Sequence, residues 1–585
     1  MKKTNKKGFT IVELVIVIAV IAILAAVLIP NISRLVKKAN QSADIQLVRN
    51  MNTALQIDGA ATKTYTTMHD ALEAVKEAGY DVEKISKSDA DNVILWDSVN
   101  QCFALLVDGK NEPVYYPETN KKTVAQYQLW RVVDNKEAAE KSEYSVYWTG
   151  AENEEITLTG VGFDAGEKTV KSVTYTGATE AHTVTIRTNS FDTTLTIDAE
   201  NDTVYHYEQV GSVDIVKVAS ASYHESGAVK GNIVVAQGRV EVTEKADIKG
   251  TVLVTGNNVK VDLPENSTTE VAINDGATGA EVKGTVPKKA AVVKGFYLSK
   301  NLTTTADIDI VYLKEDAKLE KQLSLSSSTK KSSCILDLNG HTLTVDKQIK
   351  IDHFNLTIQG EGKIIYEGAG EMFVINTNSS ATVETKLTIN GGEYIATNGG
   401  IFANASDYAD KNNKRPALII NDGIFTAKEE VVLAYNGNSV EINGGVFTSK
   451  DNAVLMSNGN TVNGGAVWTI NGGAFNGYIE SNGSIACGLY MANTDKVTIN
   501  GGTFNITNGV AILARSGDAT IGKDVVINLY NENGGIESGK VGDSTVKISA
   551  ATAIVIDKKS GYPGGDPSVT NHSNYPTYDN SSVTK

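Results

Sequence analysis

The chain opens on an almost unbroken apolar run. From Phe9 to Ile29 the polar exceptions are Thr10 and Glu13. At about 1.5 Å per residue, a helix of that length crosses a hydrocarbon core of roughly 30 Å. Past Pro30 the pattern becomes one-sided. Ile32, Leu35, Val36, Ala39, Ala43, Leu47, Met51, Ala54 and Leu55 recur at spacings of three and four, one stripe of an amphipathic helix. Asp58-Gly59 supplies a stop. The reading is one long helix, apolar all round in its first half and packed on a soluble head in its second. A second helix is predicted in "TTMHDALEAVKEAGY", capped by Thr67 with Asp70 three residues on and ended by Gly79. The short runs "NVILW", "CFALLV", "PVYY" and "QYQLWRVV" read as strands, with Asp108-Gly109 as a turn.

From about residue 151 the period shortens to two, as in "VTIRT", "TTLTIDA" and "NIVVAQGRVEV". This stretch to 290 reads either as a small β-domain or as the first coils of a solenoid, with "VPKKAA" (286–291) as a linker. Beyond it lies an internal repeat: "LTINGGEY", "LIINDGIF", "VEINGGVF", "WTINGGAF" and "VTINGGTF". Its asparagines Asn390, Asn421, Asn443, Asn471 and Asn500 recur every 22 to 31 residues. Each is preceded by two apolar residues two apart, which point the same way in a strand. An Asn-Gly corner follows, because both residue types tolerate positive φ. An aromatic then returns: Tyr394, Phe425, Phe447, Phe475 or Phe504. One such unit cannot bury its apolar side alone, whereas stacked units form a continuous core with asparagines laddered at the bend. The spacing fits three strands per repeat.

Ahead of the apolar run, Lys2, Lys3, Lys6 and Lys7 form a basic leader ending at Gly8. A secretory signal places its small cleavage residue after the apolar region; here Gly8 precedes it. The segment "KKGFTIVELVIVIAVIAILAAVLIP" resembles the start of a type IV prepilin or pseudopilin, closely over Lys6 to Pro30 and loosely to Gly59. The resemblance implies cleavage between Gly8 and Phe9 by a prepilin peptidase, N-methylation of Phe9, and an assembly role for Glu13. A carboxylate in hydrocarbon is costly unless paired. The new Phe9 ammonium of a neighbouring subunit is the partner that this mechanism supplies. The leader orients the chain with its N-terminus in the cytoplasm. The repeats, from about 291 to 555, resemble those of the pectate-lyase-like superfamily. That implies a right-handed parallel β-helix and says little about activity.

The organisation expected is therefore multidomain: leader 1–8, pilin helix 9–59 with 9–29 transmembrane, and an α+β pilin-like head 60–150. A β-rich region 151–290, a β-helix 291–555 and a disordered tail 556–585 follow. The formal charge of −15 disfavours nucleic acid as a partner. Cys102, Cys334 and Cys487 are odd in number and far apart, which implies no disulfide framework. His182, His206 and His224 lack ligand-like spacing to acidic residues, and no metal or cofactor is expected. Asp337 and His341 flank a turn-like "LNGHT", and no clustered aspartate motif of glycan lyases or hydrolases is present. The expected role is that of a minor pilin or pilin-like surface protein and not an enzyme. It passes once through the cytoplasmic membrane and is then displayed on the surface or a pilus. Its partners are other pilin subunits, the peptidase, and host or environmental glycans or surface proteins. Outward Tyr478 and Tyr490 are candidates for stacking on sugars or, equally, for covering the coil ends. A displayed polysaccharide-active enzyme and a secretion-system pseudopilin are the alternatives.

Overall fold

The computed structural model describes Thr10 to Val546 apart from 58–63, 66, 81–91, 108–112, 118–128, 294–297, 305–306, 327–331, 377–384, 405–416, 436–437, 458–464, 479–485, 492–494, 508, 515–516, 531–538 and 542–543. Side chains at a few positions inside elements, 26–28 among them, are also left out. Gly8, Phe9, the Asp58-Gly59 stop, the Asp108-Gly109 turn and the tail lie outside the described residues. The chain is mostly β, with long parallel sheets and few helices. It divides into two compact units. The first comprises Met1–Lys230, Val235–Ile248 and Lys260–Glu265; the second comprises Gly231–Val234, Lys249–Val259 and Asn266–Lys585.

In the first unit, helix α1 spans Ile11–Ile57. Its N-terminal half leaves Ile11, Leu14, Val15, Ile18, Ile21 and Leu24 exposed. Its C-terminal end buries Met51, Ala54 and Leu55 of the predicted stripe, together with Val48, which the stripe did not include. Ile32, Leu35, Val36, Ala39 and Ala43 are exposed, because the head reaches only the last turns of the helix. Among the described residues no helix is long and apolar enough to cross a membrane. Helix α2, Met68–Glu77, starts at a reciprocal capping box between Thr67 and Asp70. It lays Met68, Ala71, Leu72 and Val75 into one core with α1.

That core rests on an antiparallel sheet of β1 (Asn92–Asp97), β2 (Cys102–Val107), β3 (Pro113–Tyr115) and β4 (Leu129–Val133), ordered β3-β2-β1-β4. Trp96, Phe103 and Trp130 face the helices. Asn52 fastens α1 to β2: its amide donates to the Phe103 carbonyl at 2.8 Å and accepts from the Phe103 N–H at 2.7 Å. On the β4 edge the pairing turns parallel. β5 (Ser145–Trp148) joins β4, and then Phe163–Asp164, Thr183–Asp198 and Thr203–Glu225 follow in register. The head sheet thus serves as the template on which the first parallel strands of the β-rich region are laid.

The second unit is parallel throughout its long ladders. Lys386–Ala396, Ala417–Ala427, Ser439–Ile442, Val467–Ile470, Asp495–Thr507 and Gly517–Tyr530 pair in succession. A separate sheet of eight strands, from Leu323–Ser326 to Gly509–Ala514, pairs in the same order. One apolar core joins the two sets of strands. The linker expected at 286–291 is overlapped by a strand, Lys288–Val293, paired in parallel on both sides. Ala290, Ala291 and Val293 are buried against the neighbouring strands, which holds the segment extended despite the Pro-Lys-Lys sequence.

Candidate functional site

At the start of α1, Glu13 closes a cap. Its Oε2 accepts from the Thr10 N–H at 2.9 Å and from the Thr10 hydroxyl at 2.8 Å. The Glu13 N–H in turn reaches Thr10 Oγ1 at 3.3 Å. This is a Thr-x-x-Glu capping box, which ties up donors at the helix start. The sequence reading missed this use of Glu13, although the Thr10-x-x-Glu13 spacing carries its signature. The carboxylate therefore has a partner within its own subunit, and its two oxygens retain capacity for another donor.

The repeat asparagines meet in one exposed row. Asn421, Asn443, Asn471 and Asn500 each donate from Nδ2 to Oδ1 of the preceding member, beginning at Asn390, at 2.7 to 2.8 Å. The positive φ of the corner does not fall on these asparagines. It falls on the glycine two residues later, at Gly392, Gly423, Gly445, Gly473 and Gly502, and at the first corner on Gly391 as well. A Cβ on Gly445 would stand 2.9 Å from the Gly423 carbonyl oxygen, so close stacking as well as φ requires glycine there. Asp422 occupies the intermediate position at its corner, and its Oδ1 accepts from the Gly423 N–H. A second amide row runs along the outward face of the following strands. Asn476 reaches Thr448 at 3.4 Å, and Asn505 and Asn528 each donate to the preceding asparagine at 2.9 Å.

Inside, Tyr394, Phe425, Phe447, Phe475 and Phe504 stack face to face with centroids 4.7 to 5.0 Å apart. All five are fully buried. Tyr490, expected to point outward, is buried in the same core; Tyr478 is half-buried. Its strand is buried on both sides, with Leu489, Tyr490 and Met491 in succession all inside.

The titratable groups sit apart from these rows. In the first unit, fully buried His206 lies between Thr188 Oγ1 and Glu225 Oε1, each at 2.8 Å. Glu225 also accepts from the Tyr223 hydroxyl and the Gly227 N–H. His182 and His224 face Asp202 and Glu241 at 3.6 and 3.2 Å. A cavity of about 220 Å³ is lined by His69, Glu73, Asp164, Arg187, Thr188 and Glu208, among others. Asp164 beside His69 raises the imidazole above its ordinary value, against the opposing effect of burial.

In the second unit, burial pushes Asp337 up to about 6, although Gln359, Asn339 and Asn232 donate to it. Burial likewise pushes Glu430 up to about 7. His341 faces Asp316 at 3.6 Å. Among the described residues no group of three His, Cys, Asp or Glu converges on a metal position. The three cysteines are buried and form no disulfide.

A family profile described as the prokaryotic N-terminal methylation motif matches residues 3–29. The type IV wide pilus major component PilA4 of Thermus thermophilus is 66% identical over 74 residues, which is 12% of this chain and 52% of that protein. The type II secretion system core protein G of Aeromonas hydrophila is 29% identical over 75 residues, covering 13% and 52% respectively. The chain spans about half the length of these curated relatives. No solved structure matches. The chain thus carries a type IV prepilin or pseudopilin leader, and the strand-rich remainder is consistent with β-helix repeats.

Proposed function

We propose that the protein is a minor type IV pilin or pilin-like surface protein that carries a large binding region outside the cell. The observation that carries this is the exposed apolar half of α1, headed by Glu13 and overlapping the methylation motif. In this reading a prepilin peptidase cuts between Gly8 and Phe9, Phe9 is N-methylated, and Phe9–Ile29 holds the chain in the cytoplasmic membrane with its N-terminus inside. So large an apolar helical surface is unfavourable in water, and lipid or the helices of other pilin subunits are the environments that cover it. In a filament, Glu13 receives the Phe9 ammonium of a neighbour. Pairing of the two charges in a low dielectric penalises misplaced subunits.

The parallel strands are read as a right-handed β-helix, with the stacked aromatics as its spine and the asparagine row at one bend. Its role is adhesion, by binding a glycan or another surface. A payload of this size on every subunit would crowd a helical fibre, which favours a tip or a sparse position. No enzymatic role is assigned: Asp337, next to the one Gly-His pair, is held by three amide donors. The match to a core protein of a type II secretion system favours a second reading, a pseudopilin with the same N-terminal mechanism.

The test is mass spectrometry of the full chain co-produced with an active prepilin peptidase. The expected N-terminus is Phe9 bearing one methyl group. Retention of the leader, or removal of the apolar segment with it, sinks the processing mechanism. Labelling fibres with an antibody to the strand-rich region then separates sparse from even placement.

A further inference from the structure

One outward strip of the second unit differs from the rest of this acidic chain. The strands Ala417–Ala427, Val446–Ser449, Ala474–Gly477, Asp495–Thr507 and Gly517–Tyr530 place Ile424, Val446, Ala474, Thr503 and Val526 side by side in register. Ile424, Val446 and Val526 are 52%, 40% and 36% exposed. The asparagine row at the corner borders this column on one side. The second amide row borders it on the other, two residues further along the same strands. The column and the two amide rows are themselves uncharged, in a chain of net charge −15; the carboxylates beside them are Asp422 at its corner and Glu441, which accepts from Asn443. The strip begins where charge ends: one strand earlier the column position is Glu393, ion-paired with Lys363.

We propose that this strip binds an uncharged polysaccharide, a 1,4-linked hexose or pentose chain with equatorial hydroxyls, lying along the stack. The proposal rests on the reading of the strand-rich region as a displayed binding surface. A pyranose ring of this kind is apolar on its faces and carries its hydroxyls around the rim. An aliphatic column flanked by amides matches that distribution. Asn421, Asn471 and Asn500 each spend one N–H on the preceding asparagine and keep a second N–H and an oxygen lone pair for hydroxyls, whereas Asn443 gives its second N–H to Glu441. Parallel strands repeat about every 4.8 Å. A ligand that advances by one similar unit per sugar meets the same groups at each strand, whereas a folded protein surface has no such step. A polyanion would meet no cation on the strip and would desolvate its carboxylates without compensation.

The test uses the full chain in detergent micelles, in affinity electrophoresis through gels containing a soluble neutral β-1,4-glucan, xylan or polygalacturonate. Ala474→Glu and Thr503→Glu place a carboxylate on the strip at solvent-accessible positions. Lys350→Glu on the separate eight-stranded sheet is the control. Melting curves show which variants fold. The expected result is retardation by a neutral polymer and not by polygalacturonate, with binding weakened about tenfold or more in both strip variants and unchanged in the control. Retardation that survives both strip variants overturns this site while leaving the displayed-surface reading intact. Retardation by polygalacturonate alone overturns the ligand class. No retardation in any gel overturns the proposal, together with the glycan arm of the adhesion reading.

Discussion

The parallel strands of the two compact units fill their interiors differently. In the second unit, Tyr394, Phe425, Phe447, Phe475 and Phe504 repeat one solution at every turn of the chain. In the first, unlike aliphatic side chains such as Ile186, Leu195, Ile197, Val213 and Ile215 are joined by a chain of unlike polar groups, Thr188, His206, Glu225 and Tyr223, all fully buried. Identical apolar groups stack with no requirement on their neighbours beyond size and orientation. Buried polar groups each need a specific partner, so every layer is different. A repeated core tolerates extension by copying a unit. A networked core does not, because copying His206 without Glu225 buries an unpaired group.

This contrast predicts different failures. Phe475→Ala removes one ring from between two others and is expected to cost about 3 to 5 kcal/mol. Chemical denaturation should show the loss in the second unit. A loss below about 1 kcal/mol would mean that its neighbours collapse into the space and that the stack is not continuous. His206→Ala leaves Glu225 buried without its imidazole and is expected to cost about 3 kcal/mol. A control in which both residues become apolar should recover much of the loss. If the double variant is as unstable as the single one, packing rather than pairing explains the site.

The smallest effect sharpens the comparison by placing a charge problem inside the apolar unit. Glu430 holds its proton up to about pH 7 when folded, against an ordinary value near 4.5. The folded state therefore binds more protons than the unfolded one between those values. Its favourable contribution is complete below about pH 4.5 and declines as the pH rises to about 7. Glu430→Gln, which keeps the acceptor for Asn452, should match the parent near pH 4 and exceed it by about 2 to 3 kcal/mol at pH 8. Equal stability at pH 8 would show that the carboxylate ionises without penalty.

The same difference explains what was legible. The apolar repeat announced itself because stacking identical side chains requires identical residues at a fixed interval, and the asparagine row is spelled out by the same spacing. Residues 151–290 showed alternation but no repeat, since their buried positions mix unlike aliphatic residues with single polar groups such as Thr188, His206 and Glu225. That Phe163–Asp164 and Thr183–Asp198 are laid in parallel on the edge of the head sheet left no trace in the residues, because strand pairing uses backbone groups that every residue shares. The Glu13 cap was legible in principle and was overshadowed by the helix it begins. Tyr490 was misplaced because alternation cannot distinguish the two sides of a strand that is buried on both.

By themselves, the residues determined the apolar helix with its leader, the helix cap at Thr67, the strand periods, and the residues that recur at each bend. Each of these follows from local conformational preference or from a side chain's own affinity for water. Tertiary structure decided which glycine of the corner carries positive φ, that 288–293 is a strand, how His206 finds Glu225, and that two amide rows flank one uncharged column. Those outcomes depend on which backbone edges and side chains meet across long stretches of chain, a property of the assembled fold and not of any segment within it.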